Sequence, residues 1–201
     1  MDARNRNREK LINAMVFFAL NTNKKKIGKL KMSKLLFALD FEHFKRTGRW
    51  VTGIRYYAYP MGPYPRDEFE KISDKQLPLD IDKVMGVTPM FEDEEGQDRG
   101  YLFKVRGNTK PDLSLFSKRE LEIMKWLAEV WHDATGKQIK DWSHGGGTPW
   151  SEVWQKEGRK FKPIAYTYAI DDSSPITKEE AEALLKEEEE FEVVFPSRKA
   201  Q

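Results

Sequence analysis

Apolar positions near the start of the chain recur at helical spacing. Leu11, Ile12, Met15, Val16, Phe18 and Ala19 share one broad face, which predicts an amphipathic helix over residues 8–21. Leu35, Leu36, Leu39 and Phe44, widened by Phe37 and Phe41, predict a second, core helix. Gly48 is placed to end it, because glycine accepts positive φ without a Cβ clash. The pattern then changes. Trp50, Val51, Ile54, Tyr56, Tyr57 and Tyr59 read as short extended segments around a turn at Thr52-Gly53. Pro60, Gly62, Pro63 and Pro65 exclude a long helix and predict a bent, proline-rich aromatic loop. A short helix is expected over 66–73. Residues 84–91 and 100–105 have strand composition around the polar turn 94–98, which predicts a β-hairpin inserted near 83–106.

The second helical group opens on a start signal. Ser117 and Glu120 form a capping box, followed by the stripe Leu121, Met124, Ala128 and Trp131. Gly136 reads as the end of that unit, and 138–142 as a short helix. Thr148 before Pro149 predicts another helix start, with Trp150, Val153 and Trp154 on one face. Residues 158–163 read as a basic loop, and the alternation over 164–170 as a strand. Thr177 and Glu180 form a further capping box, opening an acidic helix to about residue 190. Leu184 and Leu185 give that helix a thin apolar face, and residues 193–195 are expected to close the domain. The pattern predicts a mainly α (α+β) fold: a compact helical domain over 1–175 with a small β-hairpin, then a C-terminal acidic helix and tail over 176–201.

Composition narrows the class. The chain has 201 residues, no Cys, and six Trp, seven Tyr and twelve Phe, enough aromatic content for a packed core rather than disorder. The absence of Cys excludes disulfides and thiolate metal sites and predicts a cytoplasmic home. No apolar run approaches the roughly 20 residues a membrane helix needs. A net charge of +2 conceals an asymmetry, with lysines crowding 24–34 and glutamates crowding 179–192. A nucleic-acid-binding regulator would use the basic end. A solvated helix–turn–helix surface is the preferred reading, since the spacing matches no nucleic-acid docking pattern.

Candidate chemistry changes the picture little. His43, His132 and His144 show no metal-type pairing, so no metal and no cofactor is predicted; His43 and His132 are expected at helix surfaces. Ser143-His144 suggests a nucleophile and base, but adjacent residues rarely face each other, so an anchor for Trp150 is the preferred reading. The Gly145-Gly146-Gly147 loop lacks a phosphate-loop Gly-Lys-Ser/Thr. Asp40 with Glu42, and Asp171 with Asp172, are read as surface or cap carboxylates. An enzyme is not expected.

One resemblance does change it. The run Lys34-Leu35-Leu36-Phe37-Ala38, the ending Phe44-Lys45-Arg46-Thr47-Gly48 and the turn Gly62-Pro63-Tyr64-Pro65 resemble the Panacea domain. This is the SocA-like antitoxin family, which also includes phage-associated proteins. Phe116-Ser117 and Trp142-Ser143-His144 followed by Pro149-Trp150 agree with it in order and approximate spacing. The resemblance implies a toxin–antitoxin system in which this chain neutralises a cognate protein toxin by direct contact. A proteolytic adaptor that delivers the toxin to a protease is the other mode it implies. A contact surface needs exposed aromatic anchors. The candidates are Tyr56, Tyr57, Tyr59, Gly62, Pro63 and Tyr64, then Trp142, His144 and Trp150.

Overall fold

The computed structural model describes residues 3–72, 76–89 and 100–194. The 94–98 turn, the ends of the expected 66–73 helix and 84–91 strand, and the closing role of 193–195 therefore lie outside the described residues or side chains. Helix α1 (Ala3–Asn21) and helix α2 (Lys29–Thr47) are joined by a short turn. The start of α2, left open by the apolar pattern, falls at Lys29. Gly48 stops α2 with φ 69°, its N–H donating to Phe44 O.

Helix α2 is the hub. It packs against α1 and against several elements that follow, and it is buried on every side from Lys31 to Phe41. A helix buried all round cannot leave its polar side chains to water, so each needs a partner inside the fold. This corrects several sequence expectations. Lys31 and Lys34 are not a solvated basic surface: both are buried. Asp40 is no surface carboxylate but fully buried. His43 is also buried, its Nδ1 donating to Arg49 O at 2.8 Å.

Strand β1 (Tyr56–Tyr59) and strand β2 (Gly62–Tyr64) pair antiparallel, with Ala58 opposite Pro63. Tyr56–Tyr59 is extended as expected, and the proline-rich stretch after it is the second strand of a β-hairpin rather than a loop. Proline is tolerated because β2 is an edge strand, where the missing N–H interrupts no ladder. Short helices α3 (Arg66–Phe69) and α4 (Leu79–Asp82) follow; α3 is shorter than expected. Strands β3 (Met85–Pro89) and β4 (Tyr101–Val105) then form the expected insertion hairpin. It is tied to the body where Phe103 N–H donates to Ile27 O.

Helix α5 (Lys118–Val130) begins with the Ser117–Glu120 capping box and buries Ile123, Met124, Leu127 and Ala128. Glu120 also accepts from buried Lys10 at 2.6 Å, linking α5 to α1. Gly136 does not end this unit. It opens helix α6 (Gly136–Ser143), because Thr135 and Gln138 form a capping box of their own. Thr148 caps helix α7 (Pro149–Ser151), which continues as a π-turn over Glu152–Lys156. Strand β5 is only Pro163–Ile164, added to the free side of β1. The rest of the expected strand is a 3₁₀ turn, Tyr166–Ala169, whose Tyr166 ring stacks on Phe41 at 4.8 Å. Helix α8 (Lys178–Val194) starts at the Thr177–Glu180 box and docks through buried Ala181. The fold is mainly α, with two small antiparallel sheets. Among the described residues no helix is long and apolar enough to cross a membrane.

Candidate functional site

The β1–β2 hairpin is held from both ends by charged groups of α2. At its entry Asp40 accepts from Val51 N–H (2.9 Å), Thr52 N–H (2.7 Å), the Thr52 hydroxyl (2.5 Å) and the Tyr56 hydroxyl (2.8 Å). Burial pushes the Asp40 carboxyl up, and these donors pull it back only in part. At the far end Lys34 Nζ donates to Pro63 O at 2.6 Å. Burial without a carboxylate holds the Lys34 ammonium down to about 7. Gly62 makes this contact possible. Its φ is 93°, and a Cβ there would meet Ser143 Oγ at 2.6 Å and Lys34 Cε at 2.8 Å. The two halves of the sequence signature, 34–65 and 142–150, therefore meet at Gly62.

Strand alternation divides the hairpin tyrosines. Tyr56 points into the core and is buried, its ring edge-on to Phe37 at 5.3 Å. Tyr57 is buried as well, under the Arg66 guanidinium at 4.0 Å, with its hydroxyl donating to Asp67. Tyr59 and Tyr64 are half-exposed and pack together at 5.3 Å. Met61, in the hairpin turn, is 51% exposed.

An unexpected residue extends this surface. Phe161 is 52% exposed and, with φ 61°, has the one positive φ among the described non-glycine residues. Its N–H donates to Ala58 O at 2.8 Å while Ala58 N–H donates to Lys162 O at 2.9 Å, and these bonds hold the bend. A non-glycine residue in this region costs about 1–3 kcal/mol, and such residues cluster at functional sites. The Phe161 ring lies edge-on to Tyr59 at 5.2 Å and to Trp154 at 5.7 Å. Trp154 stacks on Trp150 at 5.6 Å, and Lys160 Nζ lies 5.4 Å over the Trp154 ring. The result is an aromatic row from Tyr64 through Tyr59 and Phe161 to Trp154. Reading 158–163 as a basic loop missed Phe161. The signal was an isolated aromatic between lysines, which no periodicity marks.

The other candidates support the row or lie off it. Trp150 is buried and its Nε1–H donates to Tyr59 O at 2.9 Å, so it braces the hairpin from beneath. The His144 ring lies flat on Trp150, 3.8 Å away and within 5° of parallel. Its Nε2 is buried with no hydrogen-bond partner among the described residues. Burial, then the Lys140 and Lys34 charges, lower the His144 pKa. Ser143 is buried and its Oγ donates to Lys140 O at 2.7 Å, so the hydroxyl is committed to the helix rather than to His144. Trp142 is exposed but pairs with Trp131 at 4.6 Å, apart from the row. Among the described residues no group of three or more His, Asp or Glu side chains is placed to hold a metal ion.

Residues 32–151 match the model of the family described as antitoxin SocA-like, Panacea domain. No curated protein and no solved structure matches the chain. The matched span begins inside α2 and ends in α7, so it includes the hairpin and Trp150 but not Phe161.

Proposed function

The chain belongs to the antitoxin SocA-like, Panacea domain family, and on that premise we propose that it neutralises a cognate protein toxin by direct contact through the aromatic row. The observation that carries this reading is Phe161, a half-exposed aromatic held in a strained backbone conformation beside Tyr59 and Trp154. Aromatic side chains supply large contact area at low entropic cost and dominate interface energetics. A row already braced by Trp150, Lys34 and Asp40 loses little freedom on binding. Tyr56, Tyr57 and Trp150 act here as supports, while Tyr59, Tyr64, Phe161 and Trp154 make the contact.

Co-expression with the product of the neighbouring reading frame tests the reading. The expected outcome is growth arrest by the neighbour alone, and rescue with a stable, co-purifying complex when this chain is present. Phe161→Ala is expected to weaken that complex by about 2 kcal/mol or more. Trp126→Ala, on the exposed side of α5 (44% exposed), is expected to leave it unchanged. Rescue with disappearance of the toxin and no complex supports delivery to a protease instead. A harmless neighbour that does not co-purify defeats the reading.

A further inference from the structure

Beside the hairpin turn lies a groove of about 730 Å³. It is lined by Leu30 at the start of α2, by Met61 and Tyr64 of the hairpin, by Tyr101 of β4 and by Gly136 at the start of α6. Its interior is mainly apolar, and the volume is in the range that takes a short peptide segment with a large side chain. The rim has one sign. Among the described residues Lys26, Lys29 and Lys137 line it, with Lys31 buried beneath them, and no carboxylate does. Three of these ammonium groups are held by backbone carbonyls. Lys26 Nζ donates to Asp133 O, Lys31 Nζ to His132 O at 2.8 Å, and Lys29 Nζ to Ile72 O at 3.2 Å. Lys29 Nζ also lies 5.7 Å over the Tyr64 ring and 5.9 Å over the Tyr101 ring. A carbonyl orients an ammonium without cancelling its charge; Glu70 acts on Lys29, and Asp133 on Lys26 and Lys31, so the groove presents an apolar floor under a rim that is net cationic among the described residues.

We infer that this groove receives a short segment of the toxin in which one large apolar side chain is flanked by carboxylates. The inference rests on the antitoxin reading and adds a second contact of defined chemistry to it. Tyr64 belongs to both surfaces, so the groove and the aromatic row are continuous. The row supplies area; the groove supplies selection, because a basic segment meets like charge at the lysine rim and an acidic one meets opposite charge.

The test uses the full chain and its co-purified toxin. Lys137→Glu reverses rim charge in the first turn of α6, where a carboxylate suits the helix dipole, so folding is retained. The expected result is at least about tenfold weaker binding with a shallower salt dependence. A photo-crosslinker at Met61 is expected to capture an acidic, apolar-anchored toxin peptide, and reversing that peptide's carboxylates to lysine should restore binding to Lys137→Glu. Unchanged affinity with no such crosslink, while Phe161→Ala still weakens the complex, overturns the groove and leaves the antitoxin reading standing. Normal binding by both variants removes the contact reading itself. A crosslink between two copies of this chain, with a dimer in light scattering, overturns the inference in favour of self-association.

Discussion

Asp40 and Lys34 sit on one helix, both fully buried, and together they hold the two ends of the same hairpin. Their surroundings differ. The Asp40 carboxylate is met by two backbone N–H groups and two hydroxyls. The Lys34 ammonium, which has three protons to donate, has among the described residues the single acceptor Pro63 O. A buried group that is well partnered fixes its neighbours. Burial works against the charged form of both groups, and Lys34 has less to set against it, so its ammonium is held down to about 7. The hairpin is thus locked at its entry and adjustable at its exit.

Removing the lock should have the largest effect. Asp40→Ala strands four donors in the core and is expected to cost about 4 kcal/mol, lowering Tm by roughly 10 °C in a thermal melt. A melt within about 2 °C of the parent would show that the donors find other partners. Gly62→Ala attacks the adjustable end. The positive φ and the close approach of Ser143 and Lys34 predict a loss of about 2–3 kcal/mol. Denaturant titration should show this as a lower midpoint at unchanged slope.

The smallest effect sharpens the contrast most. Lys34→Met is expected to change stability at pH 7 by no more than about 1 kcal/mol, since an apolar isostere replaces a group with one hydrogen bond. The sign of the pH dependence follows from the lowered folded pKa. Between about 7 in the folded chain and 10.5 in the unfolded chain, the unfolded state binds more protons. Stability therefore rises with pH across that interval, and the burial penalty is complete below it. Lys31, held down to about 8, acts in the same direction. The reading is clean below pH 10, because Tyr56 and Tyr64, with raised pKa values, oppose the trend above it. Chemical denaturation from pH 6.5 to 9.5 checks the slope, which Lys34→Met should flatten.

The locally encoded parts of this structure were legible in the sequence. Ser117–Glu120, Thr177–Glu180 and Thr148-Pro149 start helices where their spacing says they should, and Gly48 ends one. Each of these signals acts over a few residues. Gly136 was misread because glycine suggests a stop, while the stronger signal, Thr135 with Gln138, was a start. Tyr56–Tyr59 is extended as its composition says, but Gly62–Tyr64 was misread as loop because proline speaks against strands, a rule that an edge strand evades. Lys34 and Asp40 looked like surface charges because their partners lie 29 and 11–16 residues away, beyond the reach of any helical period. Of the proposed contact surface, Tyr59 and Tyr64 could be named from sequence. Phe161 could not, since its strain and exposure arise only when its backbone pairs with Ala58.

That pairing also orders events in time. Strand β1 meets β2 within a few residues, but β5 and Phe161 arrive about a hundred residues later in synthesis. A ribosome adds some 5–20 residues each second. For several seconds, then, a nascent chain can hold most of its helical body with the aromatic row unfinished. A chain interrupted before Phe161 would keep the whole family-matched span and lack the residue on which the proposed contact turns.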